Sequence, residues 1–278
     1  MKLIEFLSWI PYTIKNKYFY DRDELVRVSF PNIDFLFKII QDKDYKSLSR
    51  NLQSYRMREP RYVSEFINFV EKNDIVLDVG ANIGFFTILS KKAKKIISIE
   101  PVERCIPILK ENIKLNYMNN VKVLKLALGD GKDLFIKEED SVNLSKIVKD
   151  KEDNAKIVES KTIRYFVDKY NINFIKMDIE GYEYEILGNA KIPKGITKIA
   201  MEFHTGVMGE EKSKGILDNL YNQGFYVNKL IEDFPLRLYP FMRLLWKRMT
   251  YVKEDLRLDE AKEEIFKGRS LKYLYLKR

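Results

Sequence analysis

Cysteine and histidine are nearly absent from this 278-residue chain, where Cys105 and His204 each stand alone. A single thiol forbids an intrachain disulfide and a thiolate metal cluster, and a single imidazole excludes sites built from several histidines. A reducing compartment is the expectation. Also missing is an apolar run of the roughly 20 residues that a bilayer-spanning helix needs. The apolar opening from Met1 to Ile14 is interrupted by Glu5, and no small-residue cleavage site follows it. A cytoplasmic location is therefore expected, and the glycosylation-type triplet Asn143-Leu144-Ser145 has no route to a glycan. The chain carries no internal repeat, no low-complexity tract, no Gly-x-Gly-x-x-Gly fingerprint and no Gly-Lys-Ser/Thr phosphate loop.

What is present is core material: 45% hydrophobic and 13% aromatic residues, enough for one large domain or a domain with additions. Fifty Lys and Arg against 41 Asp and Glu leave a charge of +9, which favours acidic partners such as phosphates, uronates or anionic lipid. Near the start, apolar alternation in 25–30 and 35–40 around Pro31-Asn32-Ile33-Asp34 predicts a hairpin. A helix follows over 59–72, with Tyr62, Phe66, Phe69 and Val70 on one face.

From Ile75 the signals alternate. Strands are expected at 75–79, 96–99, 121–126, 174–178, 199–203, 225–230 and 271–276, and helices at 85–92, 102–116, 162–170, near Tyr184 and at 212–222. That rhythm predicts an α/β fold with a mostly parallel seven-stranded sheet flanked by helices and one antiparallel edge strand. The boundaries expected are an N-terminal helical and hairpin extension over 1–58 and a main domain over 59–278. The main domain carries a basic, aromatic insertion at about 232–268.

Three clusters carry the chemistry. Val76-Leu77-Asp78-Val79-Gly80-Ala81-Asn82-Ile83-Gly84-Phe85-Phe86 is a buried strand ending in an acid, then a glycine-bearing turn that opens a helix. Asp78 would repel a pyrophosphate but suit a ligand with an ammonium and a sulfonium. Glu100, ending the next strand, is placed to accept the hydroxyls of a ribose. The second cluster, Lys176-Met177-Asp178-Ile179-Glu180-Gly181-Tyr182-Glu183, puts Lys176, Asp178 and Glu180 to one side if the strand persists. Gly181 and Glu183 are read as turn and helix start. In the third, Glu202 and His204 share one face of a strand. A divalent ion on Asp178, Glu202 and His204 is chemically admissible, but no metal-ligand spacing is present and no metal is assigned.

Taken together, these residues resemble the FkbM-type S-adenosylmethionine-dependent methyltransferases, a branch of the class I Rossmann-like methyltransferases. The likeness runs from about Glu59 to His204 and is carried by Asp78 to Gly84, Glu100-Pro101, Ile175 to Glu183 and Glu202-Phe203-His204. The resemblance implies S-adenosyl-L-methionine as cofactor and methyl transfer to a hydroxyl, commonly on sugars or natural products. It implies cofactor contacts from Asp78, Gly80, Asn82 and Gly84, with the adjoining Phe85, and from Glu100 to the ribose. It also puts Asp178 and Glu180 beside the transferred methyl, and His204 joins them as a candidate catalytic residue. Met177, Tyr182 and the long tail depart from the family pattern, which bears on the acceptor rather than the donor. The expected reaction is an in-line displacement with His204 or Asp178 as the favoured base.

Between Phe234 and Lys253, the cations Arg237, Arg243, Lys247, Arg248 and Lys253 are interleaved with Phe234, Tyr239, Phe241, Trp246 and Tyr251, and no acid intervenes. Three readings stay open for this segment. It grips an anionic acceptor, it contacts a membrane peripherally at the inner face together with Phe6, Leu7, Trp9 and Ile10, or it is an amphipathic helix packed on the domain. The expected partner is a small-molecule or glycan hydroxyl acceptor, with nucleic acid less favoured. An RNA methyltransferase and a non-catalytic membrane- or polymer-binding adaptor are the alternatives.

Overall fold

The computed structural model describes residues 25–30, 33–39, 60–137, 146–148, 155–232, 251–267 and 271–278. The described residues open with the hairpin β1 (Leu25–Phe30) and β2 (Ile33–Lys38), whose second strand begins two residues earlier than its apolar pattern suggests. Helix α1 (Pro60–Phe69) leads into β3 (Ile75–Val79), α2 (Phe85–Leu89), β4 (Lys95–Ile99), α3 (Cys105–Leu115) and β5 (Val121–Leu124). Short strands follow at β6 (Ala127–Leu128), β7 (Leu134–Lys137), β8 (Lys146–Val148), β9 (Ala155–Val158) and β10 (Ser160–Lys161). Then come α4 (Ile163–Tyr170), β11 (Phe174–Met177), α5 (Glu183–Leu187), β12 (Lys198–His204), α6 (Thr205–Met208), α7 (Glu210–Asn222) and β13 (Tyr226–Glu232). The chain closes on β14 (Tyr251–Leu256), α8 (Leu258–Glu264) and β15 (Leu271–Lys277).

The main sheet has the order β14-β13-β15-β12-β11-β3-β4-β5. Strands β3, β4, β5, β11 and β12 pair in parallel, in keeping with their largely apolar sequences and the helices that cover both faces. All seven expected strands lie in this sheet, and an eighth, β14, adds to its edge. The antiparallel element differs in place: β15 is inserted between β12 and β13 and runs against both, while β14 runs antiparallel on β13. The segment 232–268 therefore contributes a strand and a helix to the domain. Its residues 233–250, with four of the five cations, lie outside the described residues, as do Phe6, Leu7, Trp9 and Ile10. Among the described residues no helix is long and apolar enough to cross a membrane.

Period-two alternation splits the core between the two faces of the sheet. On one face Val76, Phe174, Ala200 and Tyr275 meet Tyr62 and Phe66 of α1, Phe86 of α2 and the hairpin's Phe35 and Phe37. On the other, Leu77, Ile175, Ile199 and Met201 meet Phe166 of α4 and Ile216, Leu217 and Leu220 of α7. Two asparagines one helical turn apart, Asn112 on α3 and Asn116 at its C-cap, fasten the hairpin. Asn112 accepts from Lys38 N at 2.6 Å and donates to Lys38 O at 3.0 Å, and Asn116 accepts from Leu36 N at 3.1 Å and donates to Leu36 O at 2.7 Å. The helical i, i+4 repeat matches two residues of strand, so amide side chains satisfy the backbone groups that a neighbouring strand otherwise would. Asn112 also donates to Ile83 O at 2.8 Å, which ties the hairpin to the loop after β3.

Candidate active site

The chain leaves β3 to build β4 and β5 on one side, then returns to build β11 and β12 on the other. The strand order thus reverses between β3 and β11, the place where open α/β sheets form a crevice beyond their carboxyl ends. Two loops meet there. Gly80 has φ 71°, and a Cβ on it would overlap the Asp178 carbonyl oxygen, so the loop after β3 passes the loop after β11 at a distance only glycine allows. Asn82 (φ 50°) and Gly84 (φ 99°) complete the left-handed turn into α2.

Glu100 joins the loop after β3 to the loop after β4. Its Oε2 accepts from Asn82 N at 2.7 Å and its Oε1 from Val102 N at 2.9 Å. Burial pushes its carboxyl up to about 7, against the lowering effect of those two N–H donors. A carboxylate oxygen accepts more than one hydrogen bond, so acceptor capacity beyond the backbone remains. The turn and this carboxylate fit an adenosyl group: backbone that admits close approach beside an acceptor for ribose hydroxyls.

Asp78 lies deeper. It is fully buried, with Oδ2 accepting from Thr87 Oγ1 at 2.6 Å and Oδ1 lying 3.6 Å from Lys176 Nζ. Thr87 and Ser98 hydroxyls are 2.9 Å apart. Ser98, Asp78 and Lys176 are register neighbours on adjacent strands and form a polar row under α2, with Lys176 Nζ 4.5 Å from the Phe86 ring centre. Burial raises the Asp78 carboxyl above the ordinary range, opposed by the Lys176 charge and the Thr87 hydrogen bond. Phe85 is packed in an aromatic cluster, with ring centres 5.9 Å from Phe35 and 5.7 Å from Phe37.

Strand β11 ends at Met177, so the alternation that would align Lys176, Asp178 and Glu180 is broken. Lys176 stays in the interior at 3.8 Å from Asp178 Oδ2, and Glu180 (φ 53°) and Gly181 (φ 103°) turn the chain away. The turn delivers Glu180 to His204, with Oε2 3.5 Å from Nε2. Strand β12 runs through His204, and Glu202 Oε2 is 3.9 Å from the same nitrogen. The other ring nitrogen, Nδ1, lies 2.7 Å from Oε1 of Glu183, a wholly buried carboxylate in the first turn of α5. Burial disfavours a charged His204 ring, but the Glu183 hydrogen bond and charge, then Asp178 and Glu180, outweigh it and raise the group to about 9. Ligand atoms of Asp178, Glu180 and His204 all lie within 4.8 Å of one another. The sequence marks Glu183 only as a helix-start acid, because its contact with His204 spans two separate segments.

The family model for the methyltransferase FkbM domain matches residues 78–245, more than half of the chain. An uncharacterised protein of Methanocaldococcus jannaschii is 30% identical over 114 residues, 40% of this chain and 40% of that protein. The tRNA (guanine(37)-N(1))-methyltransferase Trm5b of the same organism is 37% identical over 81 residues, 28% of this chain and 24% of the relative. The chain thus matches less than half the length of these relatives. Among solved structures, the M. jannaschii tRNA m1G37 methyltransferase aligns at TM-score 0.45 and 17% identity, covering 92% of this chain and 57% of that one. P. horikoshii TYW2 in complex with MeSAdo aligns at TM-score 0.45 and 14% identity, covering 92% and 72%. The chain belongs to the FkbM methyltransferase domain family, whose methyl donor is S-adenosylmethionine.

Proposed function

We propose that the chain is a methyltransferase that moves the methyl of S-adenosylmethionine to a hydroxyl of a sugar, glycan, glycolipid or small metabolite. The observation that carries this reading is the Glu100 carboxylate, fixed by Asn82 N and Val102 N beside the left-handed Gly80–Gly84 turn. Glu100 accepts the ribose hydroxyls, and Gly80, Asn82 and Gly84 present backbone to the donor. Asp78 supports that turn from beneath, through Thr87 at the start of α2. The bound donor supplies a methyl on a sulfonium, whose carbon–sulfur electron pair stays on sulfur when the acceptor oxygen takes the carbon.

Asp178, Glu180 and His204, at the ends of β11 and β12, stand where the acceptor enters. Both His204 nitrogens face carboxylates, so the acceptor's proton leaves to Asp178 or Glu180, and His204 keeps those carboxylates in place. Alignment of acceptor and methyl supplies the largest share of the acceleration, as in other displacements that need little acid catalysis.

A second reading, an RNA acceptor, is favoured by the 37% identity over 81 residues with a tRNA methyltransferase and by the +9 charge. Incubation with radiolabelled donor and fractionated cell extract separates the two. Label in glycan, lipid or small-molecule pools supports the first reading, and label in RNA moves the assignment to the second. No label anywhere, together with no donor binding, refutes both.

A further inference from the structure

We propose that Asp178, Glu180 and His204 form a divalent-cation site, with Glu202 at its edge and Glu183 behind the imidazole, for an ion of the Mg2+ or Mn2+ class that takes the acceptor oxygen. The three ligand atoms lie within 4.8 Å of one another. Around an octahedral ion at about 2.1 Å, neighbouring ligands are about 3 Å apart and opposite ones about 4.2 Å; the 3.5 Å between His204 Nε2 and Glu180 Oε2 is near the first spacing, and the carboxylates must close in on an ion to complete the set. They come from two segments, the turn after β11 and the last residue of β12, which meet at one end of the sheet.

The imidazole supplies an observation separate from the gathering of acids. Metal-ligating histidines are held through the ring nitrogen that does not bind the metal, by a carboxylate, a backbone carbonyl or water. Here wholly buried Glu183 lies 2.7 Å from Nδ1 and fixes the ring. Nε2 is thereby aimed at Glu180 Oε2, 3.5 Å away, and Glu202 Oε2, 3.9 Å away, and the His204 side chain is only 10% exposed. Charge points the same way: the carboxylates of Asp178, Glu180, Glu183 and Glu202 converge on the site, and Lys176, 3.8 Å from Asp178, offsets only one of them. Carboxylates with one imidazole make an oxygen-rich donor set that suits Mn2+, the borderline imidazole nitrogen being the donor that Mg2+ takes least readily. Glu180, with 45% of its side chain exposed, keeps the site open to an incoming acceptor.

The ion's role in transfer rests on the methyltransferase reading: an acceptor hydroxyl bound to a divalent ion gives up its proton more readily, here to Glu202 at the edge of the site because Asp178 and Glu180 are then taken by the ion, and is held in line with the methyl. The site itself does not depend on that reading. Its test is Mn2+ alone, titrated into the full chain and followed by the free-ion electron paramagnetic resonance signal. One equivalent should bind, at least tenfold more weakly in Glu180→Gln and His204→Gln, and about 10–100-fold more weakly in Glu183→Gln. Binding of the methyl donor at Glu100, measured on each variant, reports that it is folded, and the half-exposed, isosteric Glu180→Gln serves should the His204 variant fail to fold. Turnover of the unaltered chain should fall at least tenfold in excess chelator and return with Mn2+. Absence of stoichiometric Mn2+ binding, binding unchanged in Glu180→Gln, or turnover indifferent to chelator overturns the proposal. Failure of the chain to bind the donor instead overturns the methyltransferase reading, and the Mn2+ titration, which needs no donor, still decides the site.

Discussion

Replacing Glu100 by Gln keeps shape and removes charge at the residue that joins the loops after β3 and β4. One of the two backbone donors, Asn82 N or Val102 N, then faces an amide NH2, and the ribose loses a charged acceptor. A hydrogen bond to a charged group is worth about 1.5–3 kcal/mol, so donor affinity should fall roughly 10- to 150-fold. The pH dependence is more discriminating. Glu100 is raised from 4.5 to about 7 in the folded chain, which at about 1.36 kcal/mol per pH unit sets on the order of 3 kcal/mol against its ionised form. The fold therefore prefers the protonated acid, and this group's contribution to stability is complete below pH 4.5 and lost as pH rises through about 7. Ribose hydroxyls donate to the carboxylate and so favour the ionised form. Affinity must then run opposite to stability and rise across the same interval. If only the ionised form binds, its population climbs about tenfold between pH 6 and pH 8, and the apparent dissociation constant should fall by about that factor. Calorimetry with 5′-methylthioadenosine, which has no group titrating in that range, reads this directly. A flat profile in the unaltered chain, or an equal slope in Glu100→Gln, would refute the reasoning.

Three further substitutions test the supports of the site. Gly80→Ala forces a Cβ onto the Asp178 carbonyl at a φ of 71°, so stability should drop by at least about 1–3 kcal/mol in denaturant titration, with loss of donor binding. Lys176→Met leaves Asp78 and Asp178 without the cation they share at 3.6 and 3.8 Å. About 3–5 kcal/mol should be lost, and adding Asp78→Asn should recover part of it in a double-mutant cycle. Asn112→Leu strands the Lys38 N–H and the Ile83 and Lys38 carbonyls at about 1–3 kcal/mol for each orphaned group that water cannot reach. Thermal unfolding should show that loss together with weaker donor binding, because Ile83 belongs to the loop after β3.

The parts of the fold legible in the sequence are those in which one physical requirement dominates. Strands β3, β4, β11 and β12 are buried on both faces and read as mostly apolar runs with few polar interruptions, and Gly80 and Gly84 mark a turn that only positive φ permits. Strand β14 was not legible, because Lys253-Glu254-Asp255 is exposed and an edge strand needs backbone pairing rather than apolar content. Strands β6 to β10 are two to four residues long and too short for a period to show. Within the site, Glu100, Asp178, Glu180 and His204 announce themselves as polar residues at strand ends. The depth of Asp78 and the pairing of Glu183 with His204 do not, since both depend on which distant segment the sheet brings alongside. The placement of Phe85 was hidden for the same reason, as its aromatic neighbours Phe35 and Phe37 belong to the hairpin.

The central claim is that an adenosyl donor lies over the turn after β3 with its ribose on Glu100. A crystal structure of the full chain with S-adenosylhomocysteine tests it most directly. Both ribose hydroxyl oxygens should lie within hydrogen-bond distance of Glu100 Oε1 and Oε2, with the homocysteine end directed towards Asp178. A ribose bound elsewhere, or a ligand phosphate against the turn after β3, would contradict it.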